Sequence, residues 1–276
     1  MTDWSDWVGR EETRAEVLDR TRSDALLAAL GAVPAPGDEL PPPHHWLHFW
    51  DVKPPGELGE DGHPAKGGFL PPVPLPRRMW AGGRLAFHGA LSFGQRVERR
   101  STIRAISRKT GRSGDLVFVT VAHRLTGSGG AVWDEEQDLV YRPAPTGPTV
   151  SPPSEDELPA ADWRQGIVPD PVLLFRYSAL TMNGHRIHYD APYARAVEHY
   201  PGLVVHGPLQ ASLMLGAAIA ATGRQPKTFA FRGLSPAIAD AEIAVCGRDD
   251  VAGVELWVEQ GGRRTMSGRV DWGTAS

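Results

Sequence analysis

Cysteine is almost missing from this chain. Cys246 is the one thiol among 276 residues, so no intramolecular disulfide can form and a reducing compartment is the expectation. An excess of charge of either sign is missing too. Lys and Arg together number 29 against 33 Asp and Glu, for a net charge of −4 and a pI near 6.2. That balance excludes the broad basic surface a nucleic acid requires. No apolar run approaches the roughly 18 residues of a membrane span. The longest, from Leu213 to Ala221, is short, Ala-rich and broken by Gly216. The start, Met1-Thr-Asp-Trp-Ser-Asp-Trp7, is acidic and has no apolar core, unlike a secretory signal. A cytoplasmic protein with neither a nucleic-acid nor a membrane partner is expected. An apolar share of 41% and a charged share of 22% suit a globular chain with a sizeable core.

Proline and glycine, by contrast, are plentiful, at 25 and 31 residues, and they concentrate in two zones. Pro34 to Pro76 holds Pro41-Pro-Pro43, Pro54-Pro-Gly56 and Phe69-Leu-Pro-Pro-Val-Pro-Leu-Pro76. Long helices and central strands cannot persist there, because proline removes backbone donors, so an extended segment is predicted. Trp46, Phe49, Trp50 and Phe69 should pack that segment onto a surface. The second zone, Arg142 to Pro171, carries Pro143, Pro145, Pro148, Pro152 and Pro153 before Glu155-Asp-Glu157 and reads as an interdomain linker. The division is an N-terminal half over 1–145, a linker over 146–170 and a catalytic half over 171–276.

The halves share an outline. In the first, Ser23 to Leu30 reads as a short helix capped by Ser23, followed by strand-like runs over 84–91, 95–106, 116–125 and 131–141. Glycine turns at Thr110-Gly-Arg-Ser-Gly114 and Gly127-Ser-Gly-Gly130 separate them. In the second, Leu173 to Thr181 reads as a strand and Pro208 to Ala221 as the longest helix. Strands over 227–233, 239–248, 254–259 and 264–272 follow. The helix from Pro208 has almost no charged surface, the pattern of a buried helix. A helix wrapped by an antiparallel sheet, repeated, is an α+β double hot dog: two antiparallel sheets, each wrapping a central helix. Pattern alone leaves other α+β strand orders open.

Two clusters carry possible chemistry. The first is Thr181-Met-Asn-Gly-His-Arg-Ile-His-Tyr-Asp190. His185 and His188, three apart, would share one face of a helical turn and suit a metal, but no third ligand is near in sequence, so no metal is expected. A single histidine is commonly a satisfied structural residue; two imidazoles, an amide, a guanidinium and a carboxylate together are expensive to bury without purpose. The second cluster is Tyr200-Pro-Gly-Leu-Val-Val-His-Gly-Pro-Leu209. An apolar run stops at His206-Gly207, and Pro208 occupies the first turn of the predicted helix. Open N–H groups at such a start can hold the oxygen of a thioester enolate. An imidazole and an oxyanion donor are what addition of water to an enoyl thioester needs.

Those two clusters resemble the motif of the MaoC-like, R-specific enoyl-CoA hydratase superfamily, in which an aspartate precedes the catalytic histidine by five residues. Here the positions are Asn183 and His188, and the motif's Asn-Pro becomes His185-Arg186. Arg176 to Asp190, Tyr200 to Gln210 and Pro71 to Gly83 are similar to the subgroup of mesaconyl-C4-CoA (3-methylfumaryl-CoA) and itaconyl-CoA hydratases and of mitochondrial 3-hydroxyacyl-thioester dehydratase type 2. The resemblance implies a coenzyme A thioester as the partner, no other cofactor, and a homodimer. It implies His188 as general base and acid, Asn183 orienting the water, and the Gly207 N–H as oxyanion donor. An amide cannot take a proton, so His188 would work alone, tuned by His185 or Asp190. His185, Arg186, His206, Arg77 and Arg78 are the candidate substrate ligands, with a dicarboxylic acyl group such as mesaconyl-C4-CoA or itaconyl-CoA, giving citramalyl-CoA, as the expected substrate. A fatty-acid or polyketide type dehydratase, a hot-dog thioesterase and a non-catalytic acyl-CoA-binding protein are the alternatives.

Overall fold

The computed structural model describes residues 4–34, 36–111, 114–149 and 158–273. Arg112 and Ser113 of the predicted glycine turn, and residues 150–157 of the expected linker, lie outside them.

Ten strands join into one antiparallel sheet. In chain order they are β1 (Glu11–Val17), β2 (Arg77–His88), β3 (Arg96–Gly111), β4 (Gly114–Gly127), β5 (Val132–Arg142), β6 (Trp163–Ile167), β7 (Thr228–Gly233), β8 (Ile243–Asp249), β9 (Gly253–Gln260) and β10 (Arg263–Asp271). Across the sheet the order is β1-β3-β4-β5-β2-β7-β10-β9-β8-β6. The two half-sheets meet edge to edge where β2 pairs with β7, from Gly82↔Arg232 to Ala86↔Thr228. Glycine is required at that seam: a Cβ on Gly82 would stand 2.6 Å from the Phe231 carbonyl oxygen. The alternation that made the strands readable is plain in β4, where Val117, Val119, Val121, His123 and Leu125 all point inward.

The expected central helix is α4 (Gly207–Thr222). Its Leu209, Ala211, Met214, Leu215 and Ala218 form one core with Phe229, Ile243, Val245, Leu256 and Val270 of the C-terminal strands. Leu215 is wholly buried, so its truncation to alanine costs about 2–5 kcal/mol. The N-terminal half holds a shorter helix, α1 (Arg20–Ala29), which packs against residues 171–181 and the proline-rich segment. Leu26 of α1 and Leu47 of that segment enter the same core as α4. Cys246 is buried.

Three expectations change. The α1 helix begins three residues earlier than read, capped by Asp19, whose side chain accepts from the Thr21 N–H at 2.8 Å; Ser23 is inside it. The run ending at Thr181 is not a strand but α2 (Pro171–Thr181). Asp170 caps it, accepting from the Leu173 N–H at 2.7 Å, and Pro171 fits its first turn. Leu173, Leu174, Tyr177 and Ser178 are its buried face, a helical spacing that strand-like composition disguised. Finally, the linker zone contributes β6, which pairs with β8 at the sheet's edge. Among the described residues no helix is long and apolar enough to cross a membrane.

Candidate active site

The loop after α2 carries the first cluster. Met182 ends the helix in the left-handed conformation (φ 52°), turning the chain so that Asn183, His185 and His188 line a cavity of about 820 Å³ between the two halves. Asn183 Oδ1 accepts from the His185 N–H at 3.1 Å, which leaves its NH₂ group as the free donor. A short 3₁₀ turn, Arg186–His188, presents the imidazole of His188. His188 Nδ1 lies 2.7 Å from the Val204 carbonyl oxygen. A carbonyl only accepts, so Nδ1 carries the proton and Nε2 keeps its lone pair. Burial pushes His188 down to about 4, so it is neutral, and competent as a base, at pH 7. The rings of His185 and His188 stand edge to face, 5.4 Å apart, rather than side by side as a helical turn would put them.

The second cluster meets the first in the same cavity. Gly207 is the first residue of α4 and lines the wall with Pro208. The first intrahelical bond of this helix is Gln210 N–H to the His206 carbonyl at 3.1 Å, and Pro208 has no N–H. The Gly207 amide is therefore an open donor at the positive end of a sixteen-residue helix. His206, expected to touch substrate, is fully buried behind His188 and does not line the cavity. Its ring stacks on that of His188 at 3.6 Å, and its Nε2 meets Ser178 Oγ of α2 at 2.8 Å. Burial holds His206 well below the usual imidazole range, so it backs the base without adding charge.

The arginines separate by strand geometry. Successive side chains of β2 face opposite ways. Arg77 is buried, pairs with Glu198 and donates to the hydroxyl of Tyr200, and does not itself line the cavity. Arg78 lines the cavity and, among the described residues, forms no ion pair. Arg186 is also committed elsewhere: it grips Asp190 Oδ2 at 2.7 Å and the Glu60 carbonyl at 3.1 Å. Asp190 is thereby occupied and also caps the short helix α3 (Ala191–Ala196). Of the two residues expected to tune His188, that leaves His185, on the cavity side of a ring already backed by His206.

Sequence reasoning missed the loop Gly59-Glu-Asp-Gly-His63, which the proline-rich segment lays over the loop that carries His185 and His188. The Arg186 N–H donates to the Asp61 carbonyl at 2.9 Å. Gly62 (φ +85°) sits so close that a Cβ there would be 2.0 Å from the Gly184 oxygen. His63 lines the cavity and its ring lies 4.2 Å from that of His185. Asp61, His63 and His185 hold potential metal-ligating atoms within 4.8 Å of one another. Asp61 Oδ2, however, already takes the Nδ1–H of His63 at 2.9 Å, which makes these two a carboxylate–imidazole pair. The one signal in the sequence was two titratable groups flanking a glycine, Asp61-Gly62-His63, and the same segment holds many other titratable residues.

Comparison with known proteins follows the same outline. Residues 43–239 match the family described as hydroxyacyl-thioester dehydratase type 2. The chain is 42% identical over 281 aligned positions to the mesaconyl-C(4)-CoA hydratase of Chloroflexus aurantiacus, covering 98% of each. It is 28% identical over 269 positions to the mitochondrial hydroxyacyl-thioester dehydratase type 2 of Schizosaccharomyces pombe, covering 88% of each. Among solved structures, a MaoC-like dehydratase from Phytophthora capsici superposes with a TM-score of 0.68 at 14% identity, covering 97% of both chains. A double hot-dog protein from Mycobacterium tuberculosis gives 0.57 at 12% identity, covering 95% of both.

Proposed function

The chain belongs to the hydroxyacyl-thioester dehydratase type 2 family of MaoC-like hydratases, carbon–oxygen lyases of acyl thioesters, and from that premise we propose that it hydrates a branched dicarboxylic enoyl-CoA, mesaconyl-C4-CoA, to citramalyl-CoA. The observation that carries this reading is the convergence of His188 and the open Gly207 amide on one cavity wall. The thioester oxygen accepts from the Gly207 N–H, which stabilises the negative charge that develops there as water adds. His188 Nε2 takes a proton from the water, and the Asn183 NH₂ group orients that water. The β-carbon of mesaconyl-C4-CoA bears the free carboxylate, so its counter-charge must lie beside the attacking water. Arg78, which forms no ion pair among the described residues and lines the same cavity as His185 and His188, supports that substrate over an unsubstituted acyl chain.

The test is a panel of mesaconyl-C4-CoA, itaconyl-CoA and crotonyl-CoA, followed by loss of enoyl-thioester absorbance at about 263 nm alongside a free-thiol assay. Absorbance loss without thiol is hydration. Release of thiol is hydrolysis and contradicts the reading, and an unchanged panel leaves only binding.

A further inference from the structure

The central difficulty of this site is where the proton goes. His188 is buried, its Nδ1 is fixed on a neutral carbonyl, and among the described residues no carboxylate bonds to it. Asn183 cannot take a proton. An imidazolium formed there would be an uncompensated buried charge, which is expensive. A carboxylate does stand at the end of a short path. His185 lies 5.4 Å from His188 on one side and 4.2 Å from His63 on the other, measured ring to ring. Asp61 holds His63 twice, with Oδ2 on Nδ1 at 2.9 Å and Oδ1 on the backbone N–H at 3.1 Å.

The geometry points to Asp61 and His63 as the acid–base pair that holds the proton during turnover, supplied by the N-terminal half in place of the carboxylate that Asn183 lacks. This rests on the hydratase reading above. On addition, an O–H bond of water breaks, its proton goes to His188 Nε2, the oxygen bonds the β-carbon, and the π pair moves to the α-carbon and thioester oxygen. The proton passes through His185 to His63, whose imidazolium is stabilised by Asp61. It returns along the same path to the α-carbon as the enolate collapses, and all three rings end neutral. The logic is that of a carboxylate fixing an imidazole's tautomer and stabilising its cation. His63 touches the cavity; Asp61, acting through it, is a positioning residue.

The loop is built to be held in register. The Arg186 contacts and the Gly62–Gly184 approach fix backbone on backbone, which a chance surface loop does not need. The charged and titratable groups that face His63 are Asp61, Arg78, Lys66, His185 and His188. Burial lowers the His63 pKa, and Asp61 works against that lowering.

Asp61→Asn and His63→Gln test the pair, with mesaconyl-C4-CoA as substrate and folding checked by thermal melting. Each variant is expected to lose on the order of 10²-fold in kcat, the scale of one acid–base group, with KM within a few-fold. In Asp61→Asn the acidic limb of kcat/KM moves to lower pH, because His63 loses the anion that favours its cation; a purely structural role would not move it. His63→Ala should regain activity with added imidazole. Wild-type kcat and an unmoved limb in folded Asp61→Asn and His63→Gln overturn the inference and leave the hydratase reading intact. A wild-type protein that hydrates none of the panel sinks both. Loss of activity in a chelator, restored by zinc, would make the trio a cation site and also overturn the pair's role.

Discussion

Acidification from pH 7 to pH 5 tests three buried histidines, of which His188 lines this cavity. His44, His123 and His188 are each pushed down to about 4, in every case first by burial. In the unfolded chain they titrate near 6.5. A group whose folded pKa is depressed gives stability that is present above the unfolded value and lost as pH falls towards the folded one. Between pH 7 and 5 each histidine raises the unfolding constant roughly 20-fold, about 2 kcal/mol. The three together remove about 5 kcal/mol, comparable to the whole stability of a modest domain. His48, His63, His185 and His206 shift in the same direction and add to the loss. Glu135, held down to about 2 beside His45, stays ionised in the fold throughout this range. Urea unfolding at the two pH values reads the difference as a lower midpoint at unchanged slope. His123→Phe should remove about 2 kcal/mol of the pH dependence, one group's share. A midpoint that does not move between pH 7 and 5 would refute the burial of these imidazoles as neutral groups.

Three further outcomes follow from the site. Asn183→Asp keeps the acceptor for the His185 N–H and adds a charge beside His188, so the acidic limb of the pH–rate profile should move to higher pH; an unmoved limb contradicts the proximity. Arg78→Gln should raise KM for mesaconyl-C4-CoA by about 10- to 150-fold, the worth of a charged hydrogen bond of about 1.5–3 kcal/mol, and leave crotonyl-CoA unchanged, and equal effects on both would remove the carboxylate role. Gly62→Ala meets the Gly184 oxygen and an unfavourable φ, so kcat should fall while the melting temperature changes little. Unaltered kcat would mean that the loop's seat does not matter.

What the sequence made legible tracks the range of the interactions involved. The buried helix α4, the strands that flank it and the His188 loop are announced by local pattern: proline at a helix start, period-two alternation, a dense polar run. The helix α2 was misread because its apolar stretch mimics a strand, although Asp170-Pro171 already carried a capping signal. The sequence offers Arg77 and Arg78 alike as substrate ligands, yet neighbours on a strand face opposite sides, and only the partner Glu198, more than a hundred residues away, decides which one is spent on an ion pair. His206 was placed in the cavity because it adjoins Gly207; the helix start turns it inward, beneath His188. The Asp61–His63 pair has no stronger local signal than two titratable groups around a glycine, and its meaning comes from a docking across the halves that no spacing along the chain encodes.

The central claim is that His188 is the base of a hydration, and one comparison tests it most directly: time courses of mesaconyl-C4-CoA absorbance at about 263 nm with the wild-type protein and folded His188→Ala, each with a thiol assay. The account predicts absorbance loss without thiol for the wild type, and a rate lower by on the order of 10²-fold or more for His188→Ala. Equal rates in the two proteins would contradict it.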